Sequence, residues 1–347
     1  MRRSSPLPSS AFLLVLLALA QILPLRLQVR LQAQAIAKPA PKPLYRDPIH
    51  DGAADPSFIQ DRASGHWLMF YTNRRADLPP AHDVQWVHGT HIGIAESSDG
   101  GTTWAYRGEA GIPYGDADST FWAPDLLYND GTYHMFLVVV PGIFSDWNHP
   151  REIIHLTSPD LAHWTFSDQL HLASNRVIDP YVFRLPNGQW RLWYKDEADH
   201  SHIHSADSSD LVHWTNDTAV VTDRSSEGPI VFAWRGHDWL IVDAWKGLAV
   251  YRSTDLTHWT AQTGNLLATP GTLPTDRAIG NHADVVLNGD HAYLFYFAAQ
   301  QGEDAAGKPA GWQRHTVIQV VELHEKNGIL SADRNQPTYV HLSTQKK

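Results

Sequence analysis

The sequence predicts an all-β fold, a five-bladed β-propeller, on three observations. A Trp that follows a Ser- and Asp-containing turn recurs four times, five apolar hairpins alternate with these turns, and an acid precedes the first strand of every hairpin. The turns read Ser97-Ser98-Asp99-Gly100-Gly101-Thr102-Thr103-Trp104, Ser158-Pro159-Asp160-Leu161-Ala162-His163-Trp164, Ser209-Asp210-Leu211-Val212-His213-Trp214 and Ser253-Thr254-Asp255-Leu256-Thr257-His258-Trp259, with Trp spacings of 60, 50 and 45 residues. A period of about fifty residues holding some four short strands is the size of a propeller blade.

Each blade opens with a hairpin. Pro56 to Ile59 pairs with Trp67 to Tyr71, Leu126 to Tyr128 with Tyr133 to Leu137, and Tyr181 to Phe183 with Trp190 to Tyr194. Ile230 to Phe232 then pairs with Trp239 to Val242, and Val285 to Leu287 with Ala292 to Tyr296. Alternating or β-branched runs bounded by Gly, Asn or Asp turns are strand signals. The repeated Trp is expected to pack between neighbouring sheets, where an indole supplies apolar area and needs one hydrogen-bond partner.

Composition excludes several classes. The chain has 347 residues, 43% hydrophobic and 18% charged, with 14 Trp, 12 Tyr and 11 Phe, far too much apolar mass for a disordered protein. It has no Cys, which removes disulfides, thiolate nucleophiles and Cys-ligated zinc. Residues 1 to 43 carry six basic side chains and no acid, so without them the formal charge falls from −10 to −16. An acidic body repels phosphate backbones and anionic lipid, which argues against nucleic-acid or membrane-surface partners and for a neutral or cationic ligand.

The N-terminus pairs Arg2 and Arg3 with an apolar run from Ala11 to Ala20 and the small residues Ala33-Gln34-Ala35. That order predicts a secretory signal peptide over 1–35 and export to the periplasm or beyond, a membrane-anchor helix being the alternative. Residues 36–44, rich in Pro, Ala and Lys, are expected to be an extended linker, and 45–347 a single propeller domain.

The innermost strand of each blade lines a propeller's channel, so polar residues at its start converge on one cavity. Those openings are Ala54-Asp55-Pro56, Trp122-Ala123-Pro124-Asp125, Ile178-Asp179-Pro180, Ser226-Glu227-Gly228-Pro229 and Asn281-His282-Ala283-Asp284. In this the chain resembles the five-bladed propeller glycosidases of glycoside hydrolase family 43 and its relatives in families 62 and 117. Their signature is Asp-Pro in blade one, Asp-Pro in blade three and Glu-Gly-Pro in blade four, matched here between about residues 45 and 325. The resemblance implies Asp55 as general base, Asp179 as the acid that tunes the proton donor, and Glu227 as general acid. It also implies His282 at the channel centre, where an ion such as calcium can sit, with no cofactor required.

Inversion at a glycosidic bond needs a protonated and an ionised carboxyl ~6.5–9.5 Å apart, a gap that opposite blades can span. A third carboxylate, Asp179, is expected to keep Glu227 protonated. Asp47, in Arg46-Asp47-Pro48, is a rival base that precedes no strand. Trp122, Tyr181 and Trp245 are candidate sugar platforms, and Arg252, Arg277 and His282 candidate hydroxyl contacts. Asp125 is expected to bind substrate or hold the site together.

His200-Ser201-His202-Ile203-His204 would put three imidazoles on one face of a strand, a spacing that suits a transition metal or a polar strand face. The leading expectation is an exported, inverting glycosidase on plant or algal poly- or oligosaccharides, of arabinofuranosidase, xylosidase, galactosidase or anhydrogalactosidase type. A non-catalytic carbohydrate-binding propeller is the alternative from another class. A retaining fructan-cleaving propeller and a metal enzyme built on His200 are further readings. The segments Ala76 to Thr90 and Gly142 to Arg151 are long enough to wall off one end of the channel.

Overall fold

The computed structural model describes Met1 and residues 38–79, 83–300 and 314–343. The signal-peptide reading of residues 1–35 therefore lies outside the described residues, Met1 apart. Among the described residues no helix is long and apolar enough to cross a membrane. The propeller unit begins at Pro39.

Five four-stranded antiparallel sheets follow one another along the chain, each built from consecutive strands. Blade one holds β1 (Ala53–Gln60), β2 (Trp67–Asn73), β3 (His91–Ser97) and β4 (Ala105–Glu109), and blade two β5 (Thr120–Asn129), β6 (Thr132–Val140), β7 (Glu152–Ser158) and β8 (Thr165–Gln169). Blade three holds β9 (Val177–Arg184), β10 (Trp190–Asp196), β11 (His202–Ser208) and β12 (Thr215–Val221). Blade four holds β13 (Glu227–Trp234), β14 (His237–Asp243), β15 (Leu248–Ser253) and β16 (Thr260–Ala261). Blade five holds β17 (Asn281–Asn288), β18 (His291–Ala299), β19 (Thr316–Lys326) and β20 (Ile329–Ala332). This is the five-bladed β-propeller the repeat predicts.

The repeated Trp packs from one blade onto the next. Trp164 stands edge-on to Phe70 at 6.1 Å, Trp214 to Phe136 at 5.8 Å and Trp259 to Trp193 at 6.5 Å, each reaching a ring on the second strand of the preceding blade. Trp104 meets Phe58 at 5.3 Å, beside Phe295 of blade five. Edge-to-face pairs of this kind add roughly 0.5–1.5 kcal/mol each beyond area burial. In the turns themselves, Asp160, Asp210 and Asp255 accept backbone N–H groups two and three residues on, and each also holds the following His through Nδ1.

A second set of contacts stitches the inner strands. Ala123 N–H donates to Thr72 Oγ1, Val182 N–H to Asp125 Oδ2, Gly228 N–H to Asp179 Oδ2, His282 N–H to Asp243 Oδ2 and Phe58 N–H to Asp284 Oδ2. One such bond crosses every seam of the ring, the seam between blades five and one included.

Residues 38–44 depart from the expected linker. Ala40 and Leu44 are buried in the apolar cluster shared by blades five and one, Ala40 N–H donates to the Thr338 carbonyl at 2.8 Å, and Tyr45 pairs with Ile318. A Pro-rich stretch is extended and short of donors, so it can lie along an apolar seam at little cost in unsatisfied backbone, and this one does.

Candidate active site

The site is made by one backbone device used four times. In blades one to four the pairing of the first and second strands slips at the residues before a Pro: between Ala54 and Ser57, Trp122 and Asp125, Ile178 and Tyr181, and Glu227 and Ile230. The pre-proline residue in each has left-handed backbone, with φ of 49° at Asp55, 41° at Ala123, 58° at Asp179 and 56° at Gly228. Residues before Pro favour extended backbone, and non-glycine residues in this region cost about 1–3 kcal/mol, so Asp55, Ala123 and Asp179 are strained bulges that the sheet must hold, while Gly228 adopts its φ freely. Such a bulge breaks the in-out alternation of the strand and re-aims a side chain at the channel.

The four blades fill the bulge differently. Blades one and three place Asp there, blade two places Ala with Trp122 before it, and blade four places Gly with Glu227 before it. A Cβ at Gly228 would stand 2.6 Å from the His282 ring, so the glycine lets that ring lie against the blade-four backbone. Blade five has no Pro at this point, and His282 sits at its register slip between Asn281 and Ala283.

Asp55, Asp179, Glu227 and His282, from four blades, line one cavity of about 440 Å³. Arg74, just past β2, holds Asp55 through Nη2 at 3.2 and 3.4 Å, and His282 Nδ1 lies 3.5 Å from the same carboxylate. The Arg74 guanidinium also lies over Phe297, 4.5 Å from the ring centre. Asp179 is buried, which lifts its pKa to about 6 against the pull of His282 and Lys195, and Glu227 adds to the rise. Asp243 accepts the N–H groups of Trp245 at 2.8 Å and His282 at 2.9 Å, and burial together with Glu227 pushes it up to about 7. For His282 itself burial works downward, but the surrounding carboxylates Asp179, Asp55, Glu227 and Asp243 win and raise it.

Glu227 departs from expectation. Burial raises it, yet Lys195, whose Nζ lies 3.0 Å from Oε2, outweighs burial and holds the carboxyl below its ordinary value. Asp179 was expected to keep Glu227 protonated. Instead the cation beside Glu227 makes it the ionised partner, and the raised value falls on Asp179.

Of the sequence-predicted residues, Asp55, Asp179, Glu227, Trp122, Trp245 and His282 line the cavity. Trp122 is buried, donating Nε1–H to the Val87 carbonyl, whereas Trp245 is 44% exposed at the mouth. Four others lie elsewhere. Asp125 and Tyr181 line a separate pocket with Ser57 and Asp284, because each lies two residues beyond the bulge of its strand. Arg252 donates to the Gly328 carbonyl at 3.1 Å on the third strand of blade four, and Arg277 is exposed at the end of the short 3-10 turn Pro274–Asp276. The rival Asp47 is buried, accepting Tyr71 O–H and the N–H groups of Ile49 and His50, and does not line the cavity.

The His200 cluster does not form one strand face. His200 and Ser201 have left-handed backbone in the turn before β11, and His202 and His204 are taken up by Asp199, with Asp217 on the far side of His204. Among the described residues no group of three or more His, Asp or Glu side chains is placed to hold a metal ion. The His282 ring faces Asp55.

Sequence reading missed Arg74, Lys195, Glu197 and Asp243, and they share a signal. The second strand of each hairpin runs back to the channel mouth, where Asn73 pairs with Ala53, Asp196 with Val177 and Asp243 with Glu227. The last residues of second strands are thus as close to the site as the first residues of first strands. The segments Ala76 to Thr90 and Gly142 to Arg151 do form wall, through Trp86 and Val87 and through Trp147 and Arg151.

No family model and no curated protein matches the sequence. Solved structures do. The fold is shared with a thermostable family-43 glycoside hydrolase at TM-score 0.61 and 15% identity, covering 87% of this chain and all of that one. The chain thus shares the five-bladed propeller fold of solved family-43 glycoside hydrolases. A xylan β-1,4-xylosidase from Bacillus halodurans C-125 matches at TM-score 0.61 and 16% identity over 84% of this chain, which spans 57% of the xylosidase. An exo-1,5-α-L-arabinanase from a bovine ruminal metagenomic library matches at TM-score 0.56 and 15% identity, over 81% of this chain and 97% of that one.

Proposed function

We propose that the chain is an inverting glycoside hydrolase acting on plant or algal oligosaccharides. The observation that carries this is the meeting of Asp55, Asp179 and Glu227, from strained or adjoining positions on three blades, in one cavity. Asp55, aligned by Arg74, accepts a proton from the attacking water. Glu227 protonates the glycosidic oxygen from the opposite side, and Asp179 supports it as the buried carboxyl nearest in role. Trp245 offers an exposed ring on which a sugar face can stack. A cavity of about 440 Å³, walled by Trp86 and Trp147, suits removal of a terminal sugar better than mid-chain cleavage. Export, inferred from the leader-like N-terminus, would bring the protein to such substrates, with no cofactor needed for the chemistry.

One observation favours a second reading. Asp55 and Glu227 are both in ion pairs, with Arg74 and Lys195, which suits a binding propeller whose acids only hold hydroxyls. Assays on aryl xylosides, arabinofuranosides and galactosides and on plant and algal oligosaccharides decide between them. Asp55→Asn and Glu227→Gln are each expected to lose about 10²–10⁴-fold in kcat, and proton NMR of the first-formed product is expected to show the anomer opposite to the substrate's. Sugar binding without hydrolysis in parent and variants alike would establish the binding reading.

A further inference from the structure

Lys195 is the buried group that the proposed chemistry does not yet use. It is 4% exposed on β10, opposite Ile178, and its ammonium meets two carboxylates at once: Glu227 Oε2 at 3.0 Å and Glu197 Oε1 at 3.2 Å. Glu197 is held at its other oxygen by Arg151 at 3.0 Å and Arg176 at 3.6 Å, so that end of the bridge is anchored. At the Glu227 end the ammonium lies 5.1 Å from the centre of the exposed Trp245 ring. The ring offered as a sugar platform is therefore also a cation-π partner of the lysine that holds the proposed acid.

We propose that Lys195 is a positioning residue that shifts from Glu227 toward Glu197 when a sugar ring settles against Trp245, freeing Glu227 to act as proton donor. This rests on the glycosidase reading above. An ammonium has three donors and a flexible stem, so it can loosen one contact while Glu197 retains it. A neutral sugar that covers the ring and displaces water takes away the cation-π partner on the Glu227 side.

Proton accounting is simple. Glu227 takes one proton from solvent as Lys195 moves away and keeps its own. That proton passes to the glycosidic oxygen as its bond to the anomeric carbon breaks, and the water oxygen bonds that carbon while losing a proton to Asp55, which returns it to solvent. The net reaction consumes one water and no proton.

The other groups facing Glu227 are Asp179 on β9, Asp243 on β14, His282 on β17 and Arg151 before β7, and the Trp245 side chain hydrogen-bonds the carboxylate directly. Arg151 also lies over an aromatic ring, that of Trp122 at 5.5 Å, but Trp122 is buried, whereas Lys195 pairs with the proposed acid and meets an exposed ring.

The test is a carbon-13 NMR titration of the Glu227 carboxyl in glutamate-labelled protein, assigned by its loss in Glu227→Gln. Lys195→Gln is expected to raise the midpoint by about one pH unit or more, a tenfold gain in proton affinity, while Lys195→Arg stays near the parent. Glu197→Gln is expected to lower it, since the ammonium then belongs to Glu227 alone, and this variant tests the bridge even where a Lys195 variant fails to fold. Binding of D-xylose, L-arabinose or D-galactose, followed by calorimetry, is expected to raise the parent's midpoint and leave that of Lys195→Gln in place. An unmoved midpoint in Lys195→Gln or Glu197→Gln, or a bound sugar that leaves the parent's midpoint unchanged, overturns the proposal. The same shifts with no hydrolysis of any substrate would keep the lysine shift and remove the glycosidase reading.

Discussion

The two pockets on the inner strands use the same residue type for opposite ends. At one, Asp55, Asp179 and Glu227 line an open cavity and stand beside Arg74 and Lys195. At the other, Asp125 and Asp284 share a smaller pocket with Ser57 and Tyr181, and each accepts a neighbouring blade's N–H. Burial lifts Asp125 well above the usual range, with Asp284 adding to it, and lifts Asp284 to about 7. Lys195 holds Glu227 below its ordinary value, whereas burial with no paired cation raises Asp125 and Asp284, which serve to fasten neighbouring blades.

That contrast can be broken by mutation. The largest effect is expected from Gly228→Ala, which puts a Cβ 2.6 Å from the His282 ring on a backbone with φ of 56°. Activity should fall about a hundredfold or more as the ring and Glu227 move, read as kcat with circular dichroism confirming the fold. Asp125→Ala removes the acceptor of a buried N–H and should cost about 1–3 kcal/mol in denaturant unfolding, with kcat/KM unchanged. Loss of activity matching that of Gly228→Ala would show the two pockets to be one functional unit.

Asp284→Asn acts on the pH dependence of stability. The folded pKa of about 7 lies above the unfolded value of 3.8, so between those values the native state holds a proton the unfolded chain has lost. The parent therefore loses stability as pH rises from about 4 to 7, and the variant lacks that loss. Thermal melts across the window check this. Parallel pH profiles for the two proteins would mean that Asp284 is ionised in the folded state.

Blade count, strand order and the Trp packing were legible because they depend on local repetition, and each Asp-containing turn announces the indole that follows. Asp55, Asp179 and Glu227 were legible because the chain marks the inner-strand bulge with Pro or Gly, whereas His282, in a blade without that mark, was reached through the family resemblance. Asp125 misled for the same reason: two residues past the bulge it is still at the start of the strand in sequence, but in space it has passed to the other pocket. Arg74, Lys195 and Asp243 carry no such mark, lying at or just past the ends of ordinary apolar second strands.

By itself, then, the sequence determined an all-β repeat of five hairpins and the set of acids at their openings, since periodicity and bulge residues act within a few residues of themselves. Tertiary structure decided which acids share a cavity, which cation each one meets and so which carboxyl is charged. Those outcomes depend on ring closure bringing strand ends of different blades within about 3 Å, a distance set by Coulomb and desolvation terms between residues far apart in the chain.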